Sequence, residues 1–454
     1  MKFSAKTNNA IKMALLFMFI FVCMSVFVFV QPFGDGPDEI NRFKVVTYIE
    51  NHGRIPAGDD PEIILDGYGA SYAFQPILTY MIDGFLLRAL SFLSLSFPAK
   101  LIIARYVNVI FGLVAAFYTV KLSKLLFKDE KIASIFSFAV ILLPQNIFIY
   151  TYVNTDGAAL MAVIIMLYGL LRGYKENFDV RSLVSISLGI VICLLSYYNC
   201  YGYILVTFVA FMAYFIHNKD IKGMFKKGLP IAGIVILLAG WWFIRNAILY
   251  NGDVFALTAR KACAQATGDP AWLLQMSKTY KNEGYSLFYM LFHSSYLTLV
   301  WRSFIAMFGP MLIPTHHYVY IVFALLFYVC LIGLFFPYKS TKLGAFEGKK
   351  KLFIELALIV GALIPAGLAL FYSYSWDFQP QGRYYLPCLI PFFALLTAGI
   401  EKLIGFIGTL ISKKAKKETA IDLTKAVSFY ALSAFFVLSL LISVYYMLKY
   451  YNVL

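Results

Sequence analysis

The chain has 454 residues, of which 61% are hydrophobic and only 14% are charged. Soluble domains carry roughly 45–50% apolar and about 25% charged residues, so a water-soluble enzyme is excluded. The net charge of +15 would indicate nucleic-acid binding in a soluble protein. In a membrane protein it is explained by basic cytoplasmic loops, and we predict no nucleic-acid partner. The six cysteines are scattered without a CxxC pair, which indicates small hydrophobic side chains rather than disulfides or metal ligands.

Apolar runs long enough to cross a bilayer recur along the chain, beginning with an uncleaved first span over Met13–Val30. The ten further predicted spans lie near residues 101–124, 132–150, 157–172, 182–199, 201–216, 229–249, 318–337, 352–372, 384–404 and 425–448. The sequence therefore predicts an all-α polytopic membrane protein with about 11 transmembrane helices. No linker or repeat interrupts it, so residues 1–454 are expected to form a single membrane-embedded unit.

Two other apolar stretches, 77–97 and 287–313, are ambiguous because each carries charge. In the first, Asp83 and Arg88 belong to a polar stripe at helical spacing, which favours an amphipathic helix lying along the membrane interface. The alternative is a true span with a buried ion pair. The second stretch carries Arg302 and His293.

The distribution of lysine and arginine predicts the orientation. With eleven spans and a cytoplasmic N-terminus, most basic residues fall in short cytoplasmic loops, as the positive-inside rule requires. If 77–97 crossed alone, the basic segment 413–417 would lie outside; if both ambiguous stretches crossed, only the middle of the chain would be inverted. The eleven-span topology makes 31–100 a large external first loop with amphipathic helices and 250–317 a second external region, and residues 318–454 form the C-terminal helices.

Acidic residues stand at two points of the external face. Asp38 and Glu39 follow Gly36-Pro37 directly outside the first span, where a general base or a metal ligand would sit. The structural alternative is that they complement a helix N-terminus. Asp156 stands in a tight external turn, and its alternative is a cap for the span that begins at Gly157.

Two arginines stand at the external ends of spans. Arg245 follows two tryptophans, and Arg383 belongs to the segment Gln381-Gly382-Arg383-Tyr384. The planar guanidinium is suited to binding a phosphate. The structural alternatives are a snorkelling arginine for Arg245 and a membrane-edge anchor for Arg383.

Several functional classes lack their motifs. There is no GxxxxGK[ST] segment, no HExxH and no GxSxG, which argues against an ATP-driven transporter, a zinc protease and a serine hydrolase. Charges within the predicted spans are scarce, which weighs against an ion-coupled transporter.

An ordered series of short external motifs resembles the GT-C superfamily of membrane glycosyltransferases. These enzymes use polyprenyl-phosphate-linked sugars and include the protein O-mannosyltransferases and the bacterial lipid A aminoarabinose transferases. The series also resembles an uncharacterised bacterial membrane-protein family within this superfamily. The matching segments are Pro37-Asp38-Glu39, Gly53-Arg54-Ile55-Pro56, Arg105–Gly112, Val153–Asp156, Trp242–Asn246 and Gln381–Pro387.

The resemblance implies a GT-C fold and an inverting glycosyl transfer on the outer face of a bacterial cytoplasmic membrane. Asp38 would be the general base that deprotonates an acceptor hydroxyl, with Glu39 beside it in the catalytic pair. Asp156 would orient the acceptor or the sugar. Arg383, together with Arg245, would hold the lipid phosphate. The expected partners are the polyprenyl-phosphate sugar, a glycan, lipid or protein acceptor, and the lipid bilayer.

The resemblance also assigns Gln381 and Tyr384 to substrate binding, because they flank Arg383 in its motif. Many relatives place a basic residue or histidine three or four positions after the first acid; here Asn41 and Arg42 occupy those positions, which is a departure. The oligosaccharyltransferase branch binds a divalent metal through several external acids, whereas the mannosyltransferase-like branch generally does not. With few external acids matched, we predict no cofactor, and a divalent metal is the alternative.

Two other functions compete with glycosyl transfer. A transporter or flippase of lipid-linked sugars would use the same cavity without breaking a bond. A non-catalytic scaffold of the cell envelope would use the acids only as helix caps. The sequence leaves the sugar and the acceptor open.

Overall fold

The computed structural model describes residues 5–412 and 417–453, and nearly all regular structure in them is helical. The helices in chain order are α1 (Ala5–Val30), α2 (Glu39–His52), α3 (Leu78–Ala89), α4 (Phe97–Leu126), α5 (Glu130–Ile141), α6 (Pro144–Phe148), α7 (Asp156–Lys175), α8 (Val180–Leu194), α9 (Tyr201–His217), α10 (Ile221–Leu249), α11 (Leu257–Thr267), α12 (Pro270–Met276), α13 (Leu287–His293), α14 (Tyr296–Ile305), α15 (His317–Gly333), α16 (Gly348–Ser375), α17 (Leu389–Ile411) and α18 (Lys417–Tyr450). Short 3₁₀ turns lie at Tyr72–Phe74, Ser91–Leu93, Tyr198–Cys200 and Gly382–Cys388. Strands β1 (Met307–Phe308) and β2 (Ile313–Pro314) form one antiparallel hairpin.

The predicted fold class, an all-α polytopic membrane protein, is confirmed. Among the described residues, eight helices are long and apolar enough to cross a membrane, namely α1, α4, α7, α9, α10, α16, α17 and α18. The remaining three predicted spans are shorter: α8 has 15 residues, α15 has 17, and the run over 132–150 is divided between α5 and α6. The division occurs because a residue before proline is disfavoured in helical geometry; Leu143 precedes Pro144 with ψ at 121°.

Neither ambiguous stretch forms one long helix. The first contains α3, only 12 residues long, which packs against α2. Asp83 and Arg88 make no ion pair, because Arg88 donates to the carbonyl oxygens of Glu50 and Asn51 at the end of α2. The second stretch is divided among α13, α14 and the β-hairpin. The stretch 77–97 therefore contains an amphipathic helix over Leu78–Ala89, and the internal ion pair of the alternative is not formed.

Basic turns meet at one end of the helical bundle. The turn between α4 and α5 contacts the segment between α15 and α16 through a bridge of Phe127 with Lys342. Asp129 at the start of α5 pairs with Lys425 near the start of α18 at 2.6 Å. These contacts place connections that the sequence assigns to the cytoplasm beside one another.

The opposite end holds the first loop and the external segments. There the hydroxyl of Tyr451, just after α18, donates to Asp35 in the first loop at 2.7 Å. The amino end of α7 and the 3₁₀ turn before α17 also contact this loop, through the charged residues described below. The long chain segment from α11 to the β-hairpin packs on the same end.

Helix α7 occupies the centre of the bundle. It is buried over almost its whole apolar length and packs against α4, α8 and α9. Its amino terminus, which begins with Asp156, is thereby held directly beneath the first loop.

Candidate functional site

Four charged side chains from three distant segments meet where α1 ends. Arg42 lies between two acids, with Nη1 at 3.1 Å from Asp156 Oδ2 and Nη2 at 3.4 Å from Asp38 Oδ2. Arg383 donates from Nη2 to the same Asp38 oxygen at 3.1 Å. The side chain of Asp38 is 36% exposed, whereas those of Arg42 and Arg383 are each 6% exposed. We call these four residues the charged cluster.

The backbone of Asp38 is unusual and is not explained by helix capping. Asp38 precedes α2 in the left-handed region, with φ 63° and ψ 10°, and its side chain makes no capping hydrogen bond. A non-glycine residue in this region costs roughly 1–3 kcal/mol, and aspartate tolerates the region better than most residues. Asp38 therefore occupies the N-cap position of α2 without a side-chain capping hydrogen bond, and its negative charge lies at the amino-terminal end of that helix.

Asp156 is likewise not the cap of its helix. The backbone N–H of Gly157 donates instead to Asn154 Oδ1 at 2.8 Å, so Asn154 is the side chain that accepts a hydrogen bond from the first turn of α7. This leaves the Asp156 carboxylate to accept from Arg42. A negative charge here is also stabilised by the amino-terminal end of the α7 dipole.

Glu39 does not join the charged cluster, although it adjoins Asp38 in sequence. Its carboxylate is fully buried and accepts from Arg105 Nε at 2.8 Å and Nη2 at 2.6 Å. It also accepts from the backbone N–H groups of Val153 at 3.0 Å and Gly34 at 3.3 Å. These contacts give Glu39 a positioning function between the first loop and the turn before α7, rather than access to a substrate.

Helix α4 holds both acidic segments in place. Arg105 binds Glu39 and also donates to carbonyl oxygens of Val28 and Gln31 at the end of α1. One turn further, Asn108 donates to the carbonyl oxygens of Tyr152 and Asn154. The Arg105–Asn108 motif therefore fixes the segments that carry Asp38 and Asp156.

The position of Arg383 depends on the glycine before it. The N–H of Gly382 donates to Ser303 Oγ at 2.7 Å, and a Cβ atom at Gly382 would lie 2.0 Å from the backbone nitrogen of Phe304. Only glycine allows this close approach to α14. Arg383 is then directed into the cluster and is buried, which excludes a membrane-edge anchor.

Arg383 retains unused hydrogen-bonding capacity. Its Nη2 donates to Asp38 and to the Tyr384 hydroxyl, while Nε and Nη1 are buried without a partner. A small cavity of about 10 Å³ adjoins it, lined in part by Asp156, Tyr197 and Asn199. Buried guanidinium donors without acceptors are costly, and the cavity has room for about one water-sized polar group beside them.

The electrostatics of the cluster favour an ionised Asp38. Burial by itself raises the pKa of this carboxyl group, but the charges of Arg42 and Arg383 outweigh burial, and the pKa lies below its ordinary value. The ring of Tyr72 lies 5.4 Å beneath the Arg42 guanidinium, and burial raises the pKa of its hydroxyl to about 12. Tyr72 is therefore a neutral donor beside a carboxylate.

The other predicted substrate-binding residues divide between two places. Tyr384 belongs to the cluster, since its hydroxyl accepts from Arg383 at 3.1 Å and its ring lies 5.1 Å from that guanidinium. Gln381 lies next to it, with Oε1 buried and without a hydrogen-bond partner. Arg245 lies elsewhere: it donates to the Pro56 carbonyl oxygen at 2.6 Å and lines a separate open cleft of about 440 Å³ with Arg54.

Sequence reasoning missed three residues that shape the site. Arg42 was noted only as a departure, although its position four residues after Asp38 places the two on one helical face. Arg105 carried a signal, because an arginine in an apolar span is rarely without a function. The third is Asp377, which lies close enough to Asp38 for the two charges to interact. Burial raises the pKa of Asp377, a hydrogen bond from Gln379 partly offsets this increase, and the charge of Asp38 adds to it.

The cluster does not fit a divalent metal as it is arranged. Among the described residues, no three His, Cys, Asp or Glu side chains form a group that could hold a metal ion. The two external acids, Asp38 and Asp156, are already joined by the guanidinium of Arg42. The predicted absence of a cofactor stays a prediction.

Comparison with known proteins adds the fold. No protein-family model matches the sequence, and no curated protein is similar to it in sequence. ArnT from Cupriavidus metallidurans, solved bound to undecaprenyl phosphate, is similar with a TM-score of 0.50 at 10% identity, over 98% of this chain and 78% of that chain. The Archaeoglobus fulgidus oligosaccharyltransferase in its apo form gives a TM-score of 0.54 at 13% identity, over 95% of this chain and 56% of that chain, so this chain spans about half its length. The protein therefore has the GT-C fold, as the resemblance of its motifs implied.

Proposed function

We propose that the protein transfers a sugar from a polyprenyl-phosphate donor to an acceptor hydroxyl, with inversion, at the outer face of a bacterial cytoplasmic membrane. The observation that carries this proposal is the charged cluster. It places a half-exposed, ionised carboxylate, Asp38, in contact with a buried arginine, Arg383, that has unpaired donors. Direct displacement at an anomeric carbon needs a base for the acceptor hydroxyl and a cation for the leaving phosphate, and the charged cluster contains a candidate for each.

In the proposed reaction the acceptor hydroxyl loses its proton to Asp38. Both arginines contact Oδ2 of this carboxylate, so Oδ1 is the oxygen that receives the proton. The acceptor oxygen forms a bond to the anomeric carbon while the bond from that carbon to the phosphate oxygen breaks. The electron pair stays on the phosphate oxygen, and polyprenyl phosphate leaves with one more negative charge than it had in the donor.

Arg383 stabilises the charge that develops on the leaving phosphate. Its Nε and Nη1 are two of the unpaired donors of the cluster, the third being Nε of Arg42, and a guanidinium binds phosphate oxygens through a fixed planar fork. Tyr384 holds this guanidinium from its other side. Since the donor already carries a good leaving group, no nucleotide-binding domain is needed.

Two further observations support the proposal. The similar ArnT structure holds undecaprenyl phosphate, a lipid of the class proposed for the donor. The turn that contains Lys342 and the beginning of α18, which contains Lys425, both contact the turn between α4 and α5 at the end of the bundle opposite the cluster. By the positive-inside rule that end faces the cytoplasm, so the cluster is assigned to the outer face.

The proposal is tested with purified protein in nanodiscs and a panel of polyprenyl-phosphate sugars, by measuring release of free polyprenyl phosphate. Wild type is expected to release the lipid in an acceptor-dependent manner. Asp38→Asn, which keeps the shape of the side chain and tolerates left-handed geometry, is expected to reduce the rate by about 10²- to 10⁴-fold. The matched control is Asp66→Asn, which changes an exposed acid of the same loop.

The outcomes separate the competing functions. Equal release by wild type and Asp38→Asn, with equal thermal unfolding, would exclude Asp38 as the base. No release from any variant, together with movement of the intact donor across the nanodisc or vesicle bilayer, would identify a flippase. No release and no movement would leave the scaffold as the function.

A further inference from the structure

Arg42 occupies the position that a bound cation would take between two converging acids. Its two terminal nitrogens contact different carboxylates, Asp156 at 3.1 Å and Asp38 at 3.4 Å. These acids come from separate segments, the first loop and the start of α7. Carboxylates brought together in this way repel each other unless a positive charge lies between them.

The guanidinium is enclosed and does not face a substrate. The Arg42 side chain is 6% exposed, and its Nε is buried without a partner. The ring of Tyr72 covers it at 5.4 Å. Arg42 therefore acts on the two acids rather than on the donor or the acceptor, and is a positioning residue.

The charge of the cluster argues against an additional metal. Two carboxylates, Asp38 and Asp156, balance two guanidiniums, Arg42 and Arg383. A divalent cation placed between the acids would contact Arg42 directly and leave the group with two surplus positive charges. Hard divalent cations need several oxygen ligands, and here one oxygen of each acid already contacts Arg42.

We propose that Arg42 is the resident cation of this site, held where a divalent metal would otherwise bridge Asp38 and Asp156. The effect that this inference predicts on activity depends on the proposed transferase function, whereas the effect that it predicts on Mn²⁺ binding does not. A covalently attached cation has two consequences. It is not removed by chelators, and it fixes the separation of the two acids through the planar geometry of one side chain.

The test measures Mn²⁺ binding by electron paramagnetic resonance on the full-length protein in detergent. Wild type is expected to show no Mn²⁺ site that depends on Asp38. Arg42→Ala is expected to gain one, because the two carboxylates then lack the cation that joins them, while Arg383 still contacts Asp38 alone. The gain should be abolished in Arg42→Ala combined with Asp38→Asn, and absent in Arg42→Lys, which keeps a positive charge.

Two results would overturn the inference. One is an Asp38-dependent Mn²⁺ site in wild type; the other is a folded Arg42→Ala protein without the new site. If Arg42→Ala does not fold, wild type and Arg42→Lys decide: the inference requires that neither protein show an Asp38-dependent Mn²⁺ site, and such a site in either one would overturn it.

The predicted effect on activity is tested by comparing the same variants in the release assay. Arg42→Ala is expected to lose about 10- to 100-fold in rate, the usual cost of removing a group that orients another, and Mn²⁺ should restore part of it. A merely structural effect would not be reversed by Mn²⁺. If no variant releases polyprenyl phosphate, the proposed function fails while the Mn²⁺ binding result still decides the inference.

Discussion

Arg105 encloses the carboxylate of Glu39 in an ion pair that solvent does not reach, with contacts of 2.6 and 2.8 Å. Glu39 is the sequence neighbour of Asp38, yet the two acids face different surroundings. The first is buried against α4, while the second lies half-exposed in the charged cluster. Glu39 holds the loop, and Asp38 is the base of the proposed reaction.

Glu39→Gln and Arg105→Met are expected to destabilise the protein. Removing one partner of a buried ion pair costs about 3–5 kcal/mol. Arg105→Met should cost more, because it also leaves the carbonyl oxygens of Val28 and Gln31 without their donor. Thermal unfolding in detergent measures both. A Glu39→Gln protein that unfolds like wild type but is inactive would contradict the positioning function and give Glu39 a direct part in the reaction.

Gly382→Ala is expected to abolish transfer by displacing Arg383. The added methyl group would lie 2.0 Å from the Phe304 backbone nitrogen, so the chain must move. Gly367→Ala is the matched control, because a Cβ there meets no atom within 4 Å. Release of polyprenyl phosphate and thermal unfolding are measured on both. Full activity of Gly382→Ala would show that Arg383 does not need its present position.

Arg383→Lys is expected to fail almost as severely as Arg383→Ala. A single ammonium group cannot contact Asp38 and Tyr384 and still present the fork that a phosphate accepts. A loss of about 10²-fold or more is expected, comparable to removal of a preorganised donor from a catalytic site. Steady-state release at several donor concentrations measures it, with the exposed Arg181→Lys as control. If Arg383→Lys released polyprenyl phosphate at the normal rate, the positive charge of Arg383 would be sufficient and the geometry of its guanidinium would not be needed.

The pH profile should reflect the lowered pKa of Asp38. The carboxylate must be ionised to accept a proton, so the acid limb of kcat/KM is expected below the ordinary aspartate pKa of about 3.9. Arg42→Gln removes the larger of the two arginine charge contributions that lower the pKa of Asp38. The acid limb should therefore move to higher pH. A limb that stays in place in Arg42→Gln would mean that another group controls it.

The same shift has a consequence for stability. Because the pKa of Asp38 is lower in the folded protein, its ionised form contributes stability that is fully present above the unfolded value of about 3.9. That contribution is lost as the pH falls through the folded pKa. Thermal unfolding of wild type and Asp38→Asn should therefore converge under acid conditions.

The fold was largely predictable from the sequence, because apolar length alone identifies helices that cross a bilayer. The break between α5 and α6 was not predicted, although Pro144 carries the signal. Asp38, Asp156 and Arg383 were named from separate segments, and the structure brings them together. No pattern could show that Glu39 faces the interior, because adjacent residues at a helix start differ only in the direction of their side chains.

Arg42 and Arg245 show the limit of motif comparison. Arg245 matched a motif but lies in a separate cleft beside Pro56. Arg42 was read as a departure but connects both acids. Which arginine reaches a carboxylate depends on the packing of the first loop, and that packing is set by contacts between residues far apart in the chain.

The burial of α7 gives the two acids of the cluster unequal freedom. In a close-packed interior, one helix cannot shift without moving all its neighbours, and α7 is surrounded by them on every side. Asp156, at its first residue, is thus a stationary reference point. Asp38 is held relative to this point by side-chain contacts, those of Arg42 with both acids and that of Arg105 with Glu39. The position of Asp38 therefore depends on a few side chains, whereas the position of Asp156 depends on the packing of a whole helix.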